Sequence, residues 1–273
     1  MNLQTTIRMH DGVEIPQLGL GVWQTPQGQV TIDAVKWALQ AGVRHIDTAA
    51  IYRNEEGVGE AIRQSGINRD ELFITTKLWN EDVRQSNSHN ACLTSLEKLG
   101  LDYVDLYLIH WPATGFEKAW LAMESLKREG KVRSIGVSNF HANHLERLFN
   151  ICNEKPTINQ IELHPHLTQE PLREFCAQHD ILVEAWSPLG GGRLLDHPEL
   201  VQIAQTYEKT VAQIIIRWDL QHGMVTIPKS VHKDRIISNT QVFDFELSSE
   251  DMAKIDGLNQ NARTGGDPDN FNF

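Results

Sequence analysis

The sequence predicts a (β/α)8 TIM barrel with an N-terminal β-hairpin, forming a single domain over residues 1–273. Three observations predict it. The length of 273 residues matches the usual size of such a barrel. About eight short apolar runs alternate with longer amphipathic stretches, the layout that a closed parallel sheet requires. The rival doubly wound dinucleotide fold lacks its glycine fingerprint. Gly19-Leu20-Gly21 follows a strand, but the third glycine position is Gln24. Gly57-Val58-Gly59 has Ile62 in that position and a helical setting.

Taken in order, the chain opens with Thr6 to Ile15, a hairpin with Asp11-Gly12 at its turn. The barrel strands are expected at Leu18–Gly21, Arg44–Asp47, Leu72–Thr75, Val104–His110, Ser134–Val137, Ile158–Ile161, Leu182–Ala185 and Val225–Ile227. Between them, Val30–Leu39 puts Ile32, Val35, Ala38 and Leu39 on one helical face, and Ala41-Gly42 ends it. Ala119–Lys127 spaces Trp120, Met123 and Leu126 helically and stops at Gly130. Leu200–His222 is too long for one crossover and reads as two helices broken near Thr210. The stretch Asn259 to Phe273 is rich in Gly, Asn and Asp and is the one segment whose composition predicts disorder.

Composition excludes several function classes. A formal net charge of -11 repels phosphate backbones, so nucleic acid is a poor partner. No apolar run approaches the ~20 residues that span a membrane, and Met1–His10 has no apolar signal core. Cys92, Cys152 and Cys176 form no CxxC pair and read as free thiols of a reducing compartment, so the expected location is cytoplasmic.

Barrel active sites lie at the C-terminal ends of the strands. There the chain places Asp47, Lys77 and His110, with Tyr52 in the loop after the second strand. Each has an ordinary alternative. Asp47 could cap the next helix, Tyr52 could be a packed aromatic, Lys77 a solvated strand end and His110 a satisfied core histidine. Together, on adjacent strands, they form a coherent acid. A lysine cation favours the phenolate and lowers a tyrosine pKa, a carboxylate keeps that lysine charged, and a neutral histidine can bond a carbonyl oxygen. Such a set suits protonation of an alkoxide as it forms, the need of carbonyl reduction by hydride. No activated Ser or Cys accompanies it. His164-Pro165-His166 lacks a third ligand, so no metal is expected.

The motifs around these residues resemble those of the aldo-keto reductase superfamily. They include Leu18-Gly19-Leu20-Gly21-Val22-Trp23, His45-Ile46-Asp47-Thr48-Ala49, Tyr52-Arg53-Asn54-Glu55, Thr75-Thr76-Lys77-Leu78-Trp79 and Asp105-Leu106-Tyr107-Leu108-Ile109-His110-Trp111-Pro112. Gly136-Val137-Ser138-Asn139-Phe140, Asn159-Gln160-Ile161-Glu162, Trp186-Ser187-Pro188-Leu189 and Ile227-Pro228-Lys229-Ser230 extend the match in order over nearly the whole chain. The nearest subgroup is the bacterial 2,5-diketo-D-gluconate reductase type.

The resemblance implies NADPH, bound without a Rossmann domain, and Tyr52 as general acid supported by Asp47, Lys77 and His110. It implies that Gly21, Trp23 and Asp47 approach the cofactor, and that Ser138, Asn139 and Gln160 bond the nicotinamide carboxamide. Trp186 would stack on the nicotinamide, where many relatives have tyrosine, or else be core packing. Ser187, Leu189 and Gly190 would line the pyrophosphate. Lys229, Ser230, Val231, Arg235 and Asn239 would hold the adenosine 2′-phosphate end, with Lys229 and Arg235 alternatively a solvated helix start. Ser238 stands where relatives often carry a glutamate, which weakens the expected adenine contact.

The expected substrate is a small carbonyl compound, 2,5-diketo-D-gluconate or a dicarbonyl such as methylglyoxal. Trp23, Tyr52, Trp79, His110, Trp111 and the tail near Phe271 are the candidate walls of an open pocket, because only a short stretch follows Pro112. The subgroup implies a monomer. Two other readings are an NADPH-sensing regulatory barrel with little turnover and a metal-dependent barrel hydrolase.

Overall fold

The computed structural model describes residues 1–273. The predicted hairpin is β1 (Thr6–Arg8) paired antiparallel with β2 (Glu14–Pro16), and Gly12 takes the left-handed φ of 88° that its turn demands. Eight parallel strands follow. They are β3 (Gly19–Gly21), β4 (His45–Asp47), β5 (Phe73–Leu78), β6 (Val104–Ile109), β7 (Val132–Ser138), β8 (Ile158–Glu162), β9 (Leu182–Trp186) and β10 (Val225–Thr226). They pair in chain order from β3 to β10. Bridges between Leu18 and Thr226 and between Gly21 and Lys229 close the ring.

The crossovers are helical: α1 (Gln29–Gln40), α2 (Glu55–Ser65), α3 (Asn80–Arg84), α4 (Ser88–Leu99), α5 (Phe116–Arg128), α6 (Ala142–Phe149), α7 (Glu170–Gln178), α8 (Pro198–Thr206), α9 (Val211–Gln221), α10 (Lys233–Thr240) and α11 (Ser249–Asp256). The expected break near Thr210 is real. Thr210 caps α9, its hydroxyl accepting from the Gln213 N–H. The glycine pair that failed as a nucleotide fingerprint serves packing. A Cβ on Gly59 would lie 2.1 Å from the Leu99 carbonyl oxygen, so only glycine lets α2 approach the end of α4.

The main core lies between the sheet and the helices. A smaller apolar cluster fills the lower end of the barrel: Met9, Ile15, Phe73, Leu106, Leu108, Ile158 and Val225. The hairpin supplies its first two members and so plugs the bottom. Asp11 fixes the plug, accepting from Lys127 on α5 at 3.0 Å and Ser134 on β7 at 2.8 Å. No helix is long and apolar enough to cross a membrane.

The tail is a correction. Residues 259–273 are ordered, because the barrel ties them down at three points. Glu162 accepts from the backbone N–H of Thr264 at 2.6 Å and of Gly265 at 3.1 Å. Asp269 meets His141 at 2.5 Å and His144 at 3.3 Å. The Phe273 main-chain oxygen accepts from Asn80 and Arg84.

Candidate active site

Above the apolar plug the barrel interior turns polar. Side chains two residues apart on a strand share a face, so β4 sends in both His45 and Asp47, and β5 both Thr75 and Lys77. Lys77 is fully buried. Its Nζ donates to Asp47 Oδ1 at 2.6 Å, to the Thr48 carbonyl at 2.9 Å and to the Tyr52 hydroxyl at 3.4 Å. Asp47 caps no helix; its second oxygen accepts from Gln160 Nε2 at 2.8 Å.

Tyr52 comes from a single 3-10 turn, Ala50–Tyr52, followed by Arg53 at φ 56°. Buried Asn54 shapes that loop, donating to the carbonyls of Val22 and Thr25 and accepting from Thr48. The His110 ring sits edge-on to Tyr52 at 5.6 Å and to Trp79 at 5.2 Å. Burial, then the Lys77 charge, hold His110 well below the usual histidine range, so it is neutral at physiological pH.

The expected acidification of Tyr52 does not survive. Burial raises its pKa above the ordinary phenol value and outweighs the opposing Lys77 cation; Asp47 and Glu184 also push it upward. Lys77 stays charged: burial disfavours the cation, but Asp47 and Tyr52 more than offset it. The result is a phenol that keeps its proton across neutral pH with a cation waiting for the anion its loss would leave. That is an arrangement for giving a proton, not for taking one.

These groups open into a cavity of about 1040 Å³. Of the residues singled out from sequence, Gly21, Trp23, Asp47, Tyr52, Trp79, His110, Trp111, Ser138, Asn139, Gln160, Trp186, Ser187, Leu189, Lys229, Ser230, Val231, Arg235 and Asn239 line it. Lys77 stands behind Asp47 and Tyr52. Gly190 lies off the wall: at φ 57° it turns inward, buried against Leu194, and Gly191 and Gly192 take its place.

Trp186 is not mere core packing. It lines the cavity, and its indole N–H donates to Asn139 Oδ1 at 2.9 Å. The Asn139 amide donates to the His110 carbonyl and to Ser138. At the far end, Lys229 and Arg235 line the cavity with no ion-pair partner, and the Asp234 carboxylate lies on the same wall. The start of α9, Thr210 to Ala212, lines the wall between.

Sequence reasoning missed two parts, Glu184 and Glu162, and placed the tail's contribution to the cavity wall near Phe271, where the lining residue is Phe273. Glu184 on β9 joins Gln160 at 2.7 Å. Glu162 anchors the tail; burial alone would raise its pKa, but bonds from His164, Thr264 and Gly265 hold it down to about 2. Phe273 roofs the cavity, stacked on Trp79 at 6.0 Å and edge-on to Trp111 at 5.0 Å. The alternation of Glu184 with the inward Leu182 and Trp186 was the available signal for the first. His141, His144 and Asp269 cluster elsewhere, but Asp269 already takes ring nitrogens of both histidines and the Asn143 amide.

Residues 17–260 match the model of the aldo/keto reductase family. The glyoxal reductase of Bacillus subtilis is 54% identical over 100% of this chain and 99% of its own. The methylglyoxal reductase DkgA of Yersinia pestis is 51% identical over 99% of each. The solved structure of a Bombyx mori aldo-keto reductase in complex with NADP superposes with a TM-score of 0.92, at 40% identity, covering 98% of this chain and 97% of that one. Motifs, barrel, cavity and relatives agree: this chain belongs to the aldo/keto reductase family.

Proposed function

We propose that this reductase uses NADPH to convert small aldehydes and ketones to alcohols, with Tyr52 as the proton donor. The carrying observation is the Tyr52 hydroxyl on the cavity wall, 3.4 Å from the Lys77 ammonium, with neutral His110 alongside. Dicarbonyls such as glyoxal and methylglyoxal are the favoured substrates, supported by the names of the two bacterial relatives. The keto-sugar acid 2,5-diketo-D-gluconate is the other candidate. One chain supplies every residue of the site, so a monomer suffices.

The cavity suits the cofactor. Its two unpaired cations, Lys229 and Arg235, with Ser230 beside them, fit a terminal phosphate. The α9 N-terminus and Gly191-Gly192 offer backbone to a pyrophosphate. Ser138, Asn139 and Gln160 offer side-chain groups to a carboxamide, and Trp186 a ring face. Bound NADPH supplies the hydride to the carbonyl carbon.

The chain's own work is on the oxygen. His110 and Tyr52 hold it, and the Tyr52 O–H gives up its proton as negative charge builds there. Lys77 then stabilises the phenolate, while Asp47 and the Thr48 carbonyl keep Lys77 aimed. Phe273, Trp79 and Trp111 exclude water from above.

A panel of carbonyl substrates with NADPH and NADH, compared by kcat/KM, tests the reading. Turnover of dicarbonyls with NADPH preferred is expected. NADPH binding without turnover of any carbonyl would instead favour a cofactor-sensing barrel.

A further inference from the structure

Glu184 is a fully buried carboxyl group that the proposed mechanism leaves without a task. It sits one strand from Gln160, in register with it, and accepts from Gln160 Nε2 at 2.7 Å. The other hydrogen of that amide goes to Asp47 Oδ2 at 2.8 Å. An amide nitrogen has two hydrogens, so both are committed downward, to Asp47 and Glu184. The Gln160 side-chain oxygen, Oε1, accepts no bond within the protein, and Gln160 lines the cavity.

Charge limits what Glu184 can be. The groups facing it are Gln160 on β8, Asp47 and His45 on β4, Lys77 on β5 and the phenol of Tyr52. From β10 its register partner is apolar Val225, and Asp219 on α9 bonds Thr226 behind that strand. Lys77 is the one cation, and it is spent on Asp47 at 2.6 Å. His45 Nε2 lies 3.7 Å from Glu184 Oε1, but burial and Lys77 push His45 down to about 3, so it carries no charge. Glu184 Oε1 has no hydrogen-bond partner. An anion with a bare oxygen in this dry interior is the costly state; a neutral carboxyl is the cheaper one.

We propose that Glu184 is a positioning residue: as a neutral carboxylic acid it fixes, with Asp47, the orientation of the Gln160 amide, so that its carbonyl oxygen faces the nicotinamide end of the cavity. The inference rests on the proposed cofactor site. Burial, and then the Asp47 charge, push the Glu184 carboxyl up to about 8, in keeping with this state. Ionisation of Glu184 places a second anion beside Asp47, and that anion makes Tyr52 hold its proton more tightly. Reduction therefore slows as pH rises through about 8.

The test compares wild type with Glu184→Gln, which keeps an acceptor for Gln160 and cannot ionise, and Glu184→Leu, which removes the acceptor. The first readout uses the protein without cofactor. A carboxyl whose folded pKa is raised loses stability as pH climbs from its ordinary value toward about 8. The Tm advantage of Glu184→Gln over wild type should thus grow across that window. The second readout is NADPH affinity by fluorescence titration. Glu184→Leu should weaken it on the order of tenfold, as expected for one misdirected buried hydrogen-bonding group, and Glu184→Gln should restore most of the loss. The third is the alkaline fall in kcat, which Glu184→Gln should shift or abolish.

A Tm difference that stays flat with pH would overturn the proposal. So would wild-type NADPH affinity in Glu184→Leu. If the leucine variant does not fold, the two pH readouts of Glu184→Gln decide. The Tm readout involves no cofactor or substrate, so its result stands whether or not the chain proves to reduce dicarbonyls.

Discussion

The two ends of the barrel obey opposite rules. At the bottom, Met9 and Ile15 from the hairpin meet Phe73, Leu106, Leu108, Ile158 and Val225 in a sealed apolar cluster. At the top, the barrel presents Asp47 and Gln160 to the cavity, with Lys77 and Glu184 buried behind them. The lower end contributes burial, which is worth about 25 cal/mol for each Å² of apolar surface removed from water. The upper end keeps charges in a dry interior, where an unmatched one costs several kcal/mol. Stability is gathered at one end and committed to chemistry at the other. Substitutions should therefore separate cleanly, those above reading out in kinetics and those below in unfolding.

The largest separation is expected at Tyr52. Tyr52→Phe should cut kcat by about 10²–10⁴-fold, the usual worth of a general acid, with little change in Tm. Lys77→Met should reproduce much of that loss and also cost about 3–5 kcal/mol of stability, because it leaves Asp47 buried and unpaired. The two kinetic defects should be less than additive, since both act on one proton transfer. More than about a tenth of wild-type kcat in Tyr52→Phe would move the proton to another donor, His110 first.

Next in size is the opposite case. Ile15→Ala removes a fully buried side chain from the plug and should lower stability by about 2–5 kcal/mol, measured by denaturant unfolding. Its kcat per folded molecule should be that of wild type. A kinetic defect there would show the two ends to be coupled.

A smaller effect is expected within the upper end. Arg235→Ala should weaken NADPH by roughly tenfold or more, for one charge-assisted contact, and leave NADH nearly untouched. Equal losses for both cofactors would remove Arg235 from the phosphate. The smallest effect belongs to the roof. Phe273→Ala deletes its ring contacts with Trp79 and Trp111, each worth about 0.5–1.5 kcal/mol, and should raise KM for dicarbonyls a few-fold while sparing NADPH affinity.

Much of this contrast was legible in the sequence, and unevenly so. Buried parallel strands read as apolar runs, which is why all eight were found to within a few residues. Tyr52, Lys77 and His110 stood out as polar groups at the ends of such runs. Glu184 did not, because it lies mid-strand within Leu182–Trp186 and only its two-residue spacing from both ends marks it as inward, while its partner Gln160 comes from another strand. The direction of the Tyr52 shift was misjudged for a related reason. A neighbouring lysine can be read from a motif, but the depth of burial that outweighs it depends on the whole barrel. The ordered tail was hidden by its own polarity: what holds it are Glu162 and Asp269 with partners about a hundred residues away in sequence.

The plug also bears on how the chain is made. Met9 and Ile15 leave the ribosome first, yet the cluster that receives them is incomplete until Val225 arrives, more than two hundred residues later. Until then the pocket that covers the hairpin's apolar side chains lacks one wall. A fragment halted before β10 lacks both the last wall of that pocket and the Leu18–Thr226 bridge that closes the ring. Such fragments keep a sticky, unsheathed N-terminus, the kind of surface by which chaperones and proteases distinguish unfinished proteins. The hairpin thus reports closure of the barrel, since its apolar side chains are fully covered only when the last strand is in place.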